Sequence, residues 1–270
     1  MTSQADKSVD AIILAGSRPE ADALATRYAV TVKALVPVAG KAMLARVAQA
    51  LGSHRAISKI RILAQDYKPF RRHPDTAPLA EDDTIEFVES AATIALSIDR
   101  VLQNEATTYP MLITTADNVL LDASMISDFV EAARGTDIAI AVVEKSVLLR
   151  RYPESKRTWL KLRGGHFSGA NLFCFGSVRA RELLGYWAEV EQDRKKGWKL
   201  LTIFGPMLLF LAITRILTVD QLATRIGKKL GLTIRVVRMT QAEACIDVDK
   251  EDDLGLAEKI LRERSAQAGT

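Results

Sequence analysis

Three groups of residues in this chain have the types and spacing to handle a polyphosphate and a metal ion. The first is the turn Leu14, Ala15, Gly16 and Ser17, which ends an apolar run begun at Val9, together with the cations Arg18, Lys33 and Lys41 that follow it. A buried strand that runs into small residues lets backbone N–H groups approach phosphate oxygens, because Ala, Gly and Ser put little bulk in the way. The cations suit the charge of a nucleoside triphosphate, although a plain first strand with surface lysines would read the same way. The second group is Thr114-Thr115-Ala116-Asp117-Asn118, directly after the apolar Met111-Leu112-Ile113. An Asp at the carboxyl end of a central parallel strand lies where open α/β sheets bind ligands, and a divalent cation is its natural partner there. Capping of the next helix is the other role open to Asp117, and Asp122 is better placed for that. The third group is Asp247 and Asp249, which alternate along an extended segment and therefore share a face. Two carboxylates with phosphate oxygens and water suit Mg²⁺, whereas Asp252 and Asp253 suit the N-terminus of a following helix.

A fourth stretch, Gly169-Ala170-Asn171, would let the backbone approach a substrate, and Asn171 offers both a donor and an acceptor at a strand start. His166 beside it reads as a surface or packing residue. Cys174 and Cys245 have neither a CxxC neighbour nor a histidine at ligand spacing, so zinc and redox roles are not expected, and both read as small core residues.

These groups must be carried by alternating elements. Strands are expected at residues 11–14, 59–64, 85–88, 111–114 and 138–143, with helices at 41–51, 93–102 and 124–134, and Gly135 as the stop of the last. This alternation is the pattern of a mainly parallel sheet covered by helices. After residue 143 it breaks into a β-rich excursion, with a strand at 159–162, a turn at Gly164-Gly165 and a strand at 171–175. Helices are expected at 177–193 and from residue 200, then a strand at 233–239 and a last helix from residue 250. The expectation is a single domain over residues 1–270: a nucleotide-binding half at 9–143, an acceptor-binding half at 144–249 with an apolar helical insertion about 194–230, and a C-terminal helix at 250–270.

The 270 residues are 48% hydrophobic, enough for a real core, and 37 Lys and Arg against 33 Asp and Glu give +4. That balance is too mild and too interspersed for a nucleic-acid surface. The first ten residues are polar, which gives the expectation of a cytoplasmic protein without a signal peptide. The stretch 200–214 is uncharged and follows the basic cluster 194–199 around Trp198. Three roles are open to residues 200–217: a core helix, a dimer contact, or peripheral contact with the inner face of a membrane.

Taken together, Leu14-Ala15-Gly16, Lys33-Ala34-Leu35, Gly40-Lys41, Thr115-Ala116-Asp117, Gly169-Ala170-Asn171 and Asp247-Val248-Asp249 resemble the MobA-like NTP transferases. More broadly, they resemble the sugar- and alditol-phosphate nucleotidyltransferases of the glycosyltransferase-A type. The resemblance implies a Rossmann-like three-layer α/β/α fold and transfer of NMP from CTP or GTP to a small phosphorylated acceptor, with release of pyrophosphate. It implies Mg²⁺ held by Asp117 with Asp247 and Asp249, and Arg18 and Lys33 stabilising charge, with Lys41 assisting. The nucleotide would lie along Leu14, Ala15, Gly16, Ser17 and Ala116 and near Ser90, and the acceptor near Gly169 and Asn171. The apolar and basic features suggest an acceptor from lipid or envelope head-group activation. Two other classes share these motifs: a non-catalytic nucleotide-binding or membrane-recruited homologue, and a glycosyltransferase using a nucleotide sugar.

Overall fold

The computed structural model describes residues 9–17, 22–104, 107–192 and 215–268. Arg18 and the apolar stretch 200–214 lie outside the described residues. The contacts divide into two compact units, one comprising Met1–Glu89, Leu112–Ser127 and Ile246–Thr270, the other Ser90–Met111 and Asp128–Cys245. Elements are numbered below as described.

The first unit carries β1 (Val9–Leu14), β4 (Ile57–Ala64), β5 (Ile85–Glu89) and β6 (Met111–Thr115) in the order β6-β1-β4-β5. β1 with β4 and β4 with β5 are parallel pairs. Near-continuous apolar strands are what a sheet covered on both faces requires, and Ile12, Ile13, Ile60, Ile62 and Leu63 are fully buried. The short α1 (Ala23–Arg27) and α3 (Lys68–Arg72) and the longer α2 (Met43–Gly52) connect these strands. α2 buries Met43, Leu44, Val47 and Leu51 along one face, which is the helical period of its apolar residues.

The helix expected over 41–51 begins two residues late, because β2 (Pro37–Val38) and β3 (Lys41–Ala42) form a hairpin before it. Its two-residue turn is Ala39-Gly40, both with positive φ, 49° and 77°, as such tight hairpins demand. The last helix, α9 (Glu251–Ala268), follows Asp247 and Asp249 and buries Leu254, Ala257 and Ile260. It ties down two other segments of this unit. Glu258 accepts the Ala39 N–H at 2.9 Å, and Arg264 donates to the Leu120 carbonyl at 2.8 Å while pairing with Asp122 at 3.1 Å.

The second unit holds β10 (Ile234–Met239), β7 (Ile138–Glu144) and β9 (Gly165–Phe175) in that order, with β8 (Leu160–Leu162) on β9. β10 and β7 are parallel, while β7 with β9 and β8 with β9 are antiparallel. The expected mixture of a mainly parallel sheet and a β-rich excursion is therefore present. α4 (Ile94–Leu102), α6 (Lys145–Arg151), α7 (Arg181–Gln192) and α8 (Val219–Leu230) belong to this unit, and α5 (Ala123–Ala133) begins in the first unit and ends in this one. Val142, Leu162, Phe167 and Val219 form one of its core clusters.

β9 is longer than the sequence reading allows. Of the two glycines taken as a turn, Gly164 alone adopts a positive φ, 88°, and the strand starts at Gly165. At the far side of this strand Asp137 is held by Ser177 Oγ, by the Thr233 N–H and hydroxyl, and by Arg179. Those donors keep its carboxyl down at about 2. Among the described residues no helix is long and apolar enough to cross a membrane.

Candidate active site

Every residue of the candidate site that the structure brings together belongs to the first unit. β1 ends at Leu14, and the backbone runs on through Ala15 and Gly16, with the Ala15 N–H bonded to the Leu63 carbonyl at 2.9 Å. The Ala116 N–H bonds to the Leu14 carbonyl at 3.0 Å, which sets the turn after β1 beside the turn after β6. A cleft here is lined by Leu14, Ala15, Gly16, Ala34, Met43 and Ala116, with Lys33 and Asp117. Gly16 lines this cleft with bare backbone, and a Cβ there would meet the Gln65 amide at 3.0 Å.

Asp117 and the acidic pair of the C-terminal segment are joined through the backbone. The Val248 N–H donates to the Asp117 carbonyl at 3.1 Å. Ile246 and Val248 are wholly buried while Asp249 is exposed, so the alternation read from the sequence turns the carboxylates one way and the apolar side chains the other. One carboxylate oxygen from each of Asp117, Asp247 and Asp249 lies within 4.8 Å of the other two.

Lys33 reaches into this group from a short 3₁₀ turn, Lys33–Leu35, anchored by buried Ala34 and Leu35. Its Nζ donates to Asp117 Oδ2 at 2.7 Å and to Asp249 Oδ1 at 2.6 Å. The Lys33 and Asp117 side chains are each 19% exposed, and Asp249 is 59% exposed. Burial alone would pull the Lys33 ammonium toward its neutral form, but the charges and hydrogen bonds of Asp117 and Asp249 outweigh it and raise its pKa. Lys33 is therefore a cation at any physiological pH. The remaining oxygen of Asp117, Oδ1, accepts the Thr115 hydroxyl at 2.5 Å, which fixes the carboxylate's rotation.

Other residues singled out in the sequence are placed elsewhere. Lys41 sits on β3, donates to Gln49 Oε1 at 2.6 Å and does not line the cleft. The Ser17 N–H is taken by Gln65 Oε1 at 2.9 Å, while Gln65 Nε2 donates back to the Ser17 carbonyl at 3.1 Å. Ser90, Gly169 and Asn171 belong to the second unit. Ser90 lies in the loop between β5 and α4. Gly169 pairs with Val142, and Asn171 occupies the bulge between the two registers of β7 and β9 with φ 47°.

One positioning residue, Gln65, was missed, and Thr115 was named within its motif without a role of its own. Thr115 stands two positions before Asp117, and Gln65 stands directly after β4, at the same end of its strand as Ser17 and Asp117 are of theirs. The strand-end rule that picked out Asp117 would have found Gln65 as well.

The donor set is three carboxylates, all hard oxygen ligands, and it matches a small divalent cation such as Mg²⁺ or Mn²⁺ better than a soft metal. Lys33 meets two of the three carboxylates, and their oxygens gathered in one place are what such an ion requires.

Residues 11–203 match the family model of the MobA-like NTP transferase domain. No curated protein matches the sequence closely enough to be counted a relative. Among solved structures, a hypothetical transferase from Thermus thermophilus is 26% identical with a TM-score of 0.76, over 92% of this chain and 99% of that one. A 2-C-methyl-D-erythritol 4-phosphate cytidylyltransferase, also from Thermus thermophilus, is 18% identical with a TM-score of 0.52, over 94% and 99%. A CMP:2-keto-3-deoxy-manno-octonic acid synthetase solved with CTP is 9% identical with a TM-score of 0.59, over 95% and 99%. The last two are likenesses of fold.

Proposed function

The chain belongs to the MobA-like NTP transferase family, and from that premise we propose that it transfers NMP from an NTP to a small phosphorylated acceptor. A phosphate oxygen of the acceptor attacks the α-phosphorus, the bond from that phosphorus to the α,β-bridging oxygen breaks, and pyrophosphate leaves with the electron pair. The observation that carries this reading is the meeting of Lys33 with Asp117 and Asp249 beside the small-residue turn at Ala15 and Gly16.

Each group has a part in that displacement. The bare backbone at Gly16 lets a phosphate come close. Lys33, fully charged, stabilises negative charge as it builds on the α-phosphate and the leaving pyrophosphate. Arg18 is assigned the same task from the sequence. Asp117, Asp247 and Asp249 would hold Mg²⁺, which when bound would offset the repulsion between two anions. No general base is needed, because a phosphate acceptor is already ionised at neutral pH. The protein contributes position and field.

In the second unit, Gly169 and Asn171 are assigned to the acceptor. Gly169 is exposed and a Cβ there would meet nothing within 4 Å, so packing does not demand its bareness. CTP is placed ahead of GTP because the named structural neighbours include a cytidylyltransferase and a synthetase solved with CTP. Lipid or envelope head-group precursors remain the acceptor class to test first, on the charge and apolar pattern of residues 194–214.

The test incubates the protein with each of the four NTPs, Mg²⁺ and a panel of phosphorylated alcohols and follows pyrophosphate. Acceptor-dependent release with one NTP is the expected result. Nucleotide binding without turnover across the panel, or turnover with nucleotide sugars alone, would overturn the reading.

A further inference from the structure

The Lys33 ammonium stands between two of the three carboxylates, 2.7 Å from Asp117 Oδ2 and 2.6 Å from Asp249 Oδ1. A divalent ion bridging the same two oxygens would bond each at about 2.1 Å. That brings it too close to the ammonium for both cations to stay, since a monovalent and a divalent charge at such a separation repel strongly. The other Asp117 oxygen accepts the Thr115 hydroxyl at 2.5 Å, which holds the carboxylate in the rotation that presents Oδ2 to Lys33. The anchor of Lys33 is rigid, since Ala34 and Leu35 are buried, but its four-carbon stem is long and flexible. The ammonium can therefore leave without the backbone moving.

We propose that Lys33 is a resident counter-ion of the acidic cluster, displaced when a divalent metal binds, and that a triphosphate makes this displacement favourable by offering the ammonium new oxygens. Metal and nucleotide then bind cooperatively through one side chain. Without nucleotide, the lysine competes with the metal for Asp117 and Asp249; with nucleotide, the same lysine becomes a phosphate ligand. By linkage, the factor by which nucleotide tightens metal equals the factor by which metal tightens nucleotide. The nucleotide half of this inference rests on the function proposed above, while the metal half concerns only the described cluster.

The experiment measures Mn²⁺ binding to the whole protein by the electron paramagnetic resonance of free Mn²⁺. It compares wild type, Lys33→Met and Lys250→Met, each with and without a non-hydrolysable CTP analogue. Lys33→Met is expected to bind Mn²⁺ more tightly without nucleotide, by a factor within the roughly 5- to 150-fold span of ordinary couplings. The analogue is expected to tighten Mn²⁺ less in Lys33→Met than in wild type. Lys250→Met removes an exposed cation one residue from Asp249 without vacating the ground between the carboxylates, so its effect should be within about twofold, as for a screened surface charge.

Equal Mn²⁺ affinity in wild type and Lys33→Met overturns the proposal. So does an equal gain in Lys250→Met, which would make the effect one of general charge. If Lys33→Met does not fold, the wild type decides. With lysines labelled by ¹³C-methylation, the Lys33 resonance, identified by its loss in Lys33→Arg, must shift on titration with Mg²⁺. An unmoved Lys33 resonance overturns displacement. Failure of pyrophosphate release would remove the transferase reading and leave the Mn²⁺ comparison standing, so the two fail separately.

Discussion

Two charged clusters in the first unit make opposite use of the same residue types. In one, Asp10 of β1 and Arg61 of β4, each 4% exposed, pair at 2.9 Å, and the other Asp10 oxygen accepts the Ser58 hydroxyl at 2.6 Å. Arg61 also faces Glu86 at 3.5 Å, and Glu86 pairs with Lys59 at 2.9 Å. Two acids meet two bases, and the strands themselves hold them in place. In the other cluster the Lys33 ammonium joins Asp117 and Asp249 of a group of three carboxylates, partly open to solvent. The first balances its own charge and needs nothing further. The second gathers three carboxylates beside a cleft, and that clustering of like charge, rather than the presence of charged residues, separates a binding site from a structural ion pair.

Breaking the balanced cluster should cost stability and spare activity. Arg61→Ala strands a buried Asp10 carboxylate, so denaturant unfolding should show a loss of about 3–5 kcal/mol, with pyrophosphate release per folded molecule little changed. A stable Arg61→Ala protein would dissolve the distinction. Asp117→Asn is expected to do the converse. It should lower pyrophosphate release by about 10²–10³-fold, as loss of one electrostatic element of a site does. Its thermal midpoint should fall less than that of Arg61→Ala, since Lys33 keeps Asp249 as a partner. A smaller effect sharpens the comparison at the turn itself. Gln65→Ala removes both hydrogen bonds to Ser17 and should raise KM for the NTP by roughly tenfold or less. The accompanying change in kcat should be smaller, and equal losses in both would instead place Gln65 in the chemical step.

The parts of the site legible in the sequence were those with a local signature. Asp117 follows an apolar strand, and Asp247 and Asp249 alternate with buried Ile246 and Val248; such periods survive folding because they record which side faces the core. Lys33 was found by its charge and its place after the turn. Its bond to Asp249, however, joins positions 216 apart, a pairing no local pattern encodes. Gln65 escaped because a neutral amide gives no electrostatic signal. The hairpin that carries Lys41 turns on Ala39 at φ 49°, a conformation uncommon for alanine and so unannounced by the sequence. The same blindness affected β9, where a bulge carried by Asn171 hides the strand's length. Strand identities were otherwise plain, since buried runs such as Ile60–Ala64 admit few other environments.

The tie between α9 and the segments at Ala39 and Leu120 has a consequence for how the protein is made. On the ribosome, the turn at Gly16, Lys33 and Asp117 emerge well before Asp247 and Asp249, and the helix that secures the latter comes later still. A nascent chain thus carries the phosphate-facing turn and one carboxylate while the other two are still unmade. The acidic group is complete only once Asp247 and Asp249 have joined Asp117, so competence for the metal waits on a segment made after the strands beneath it.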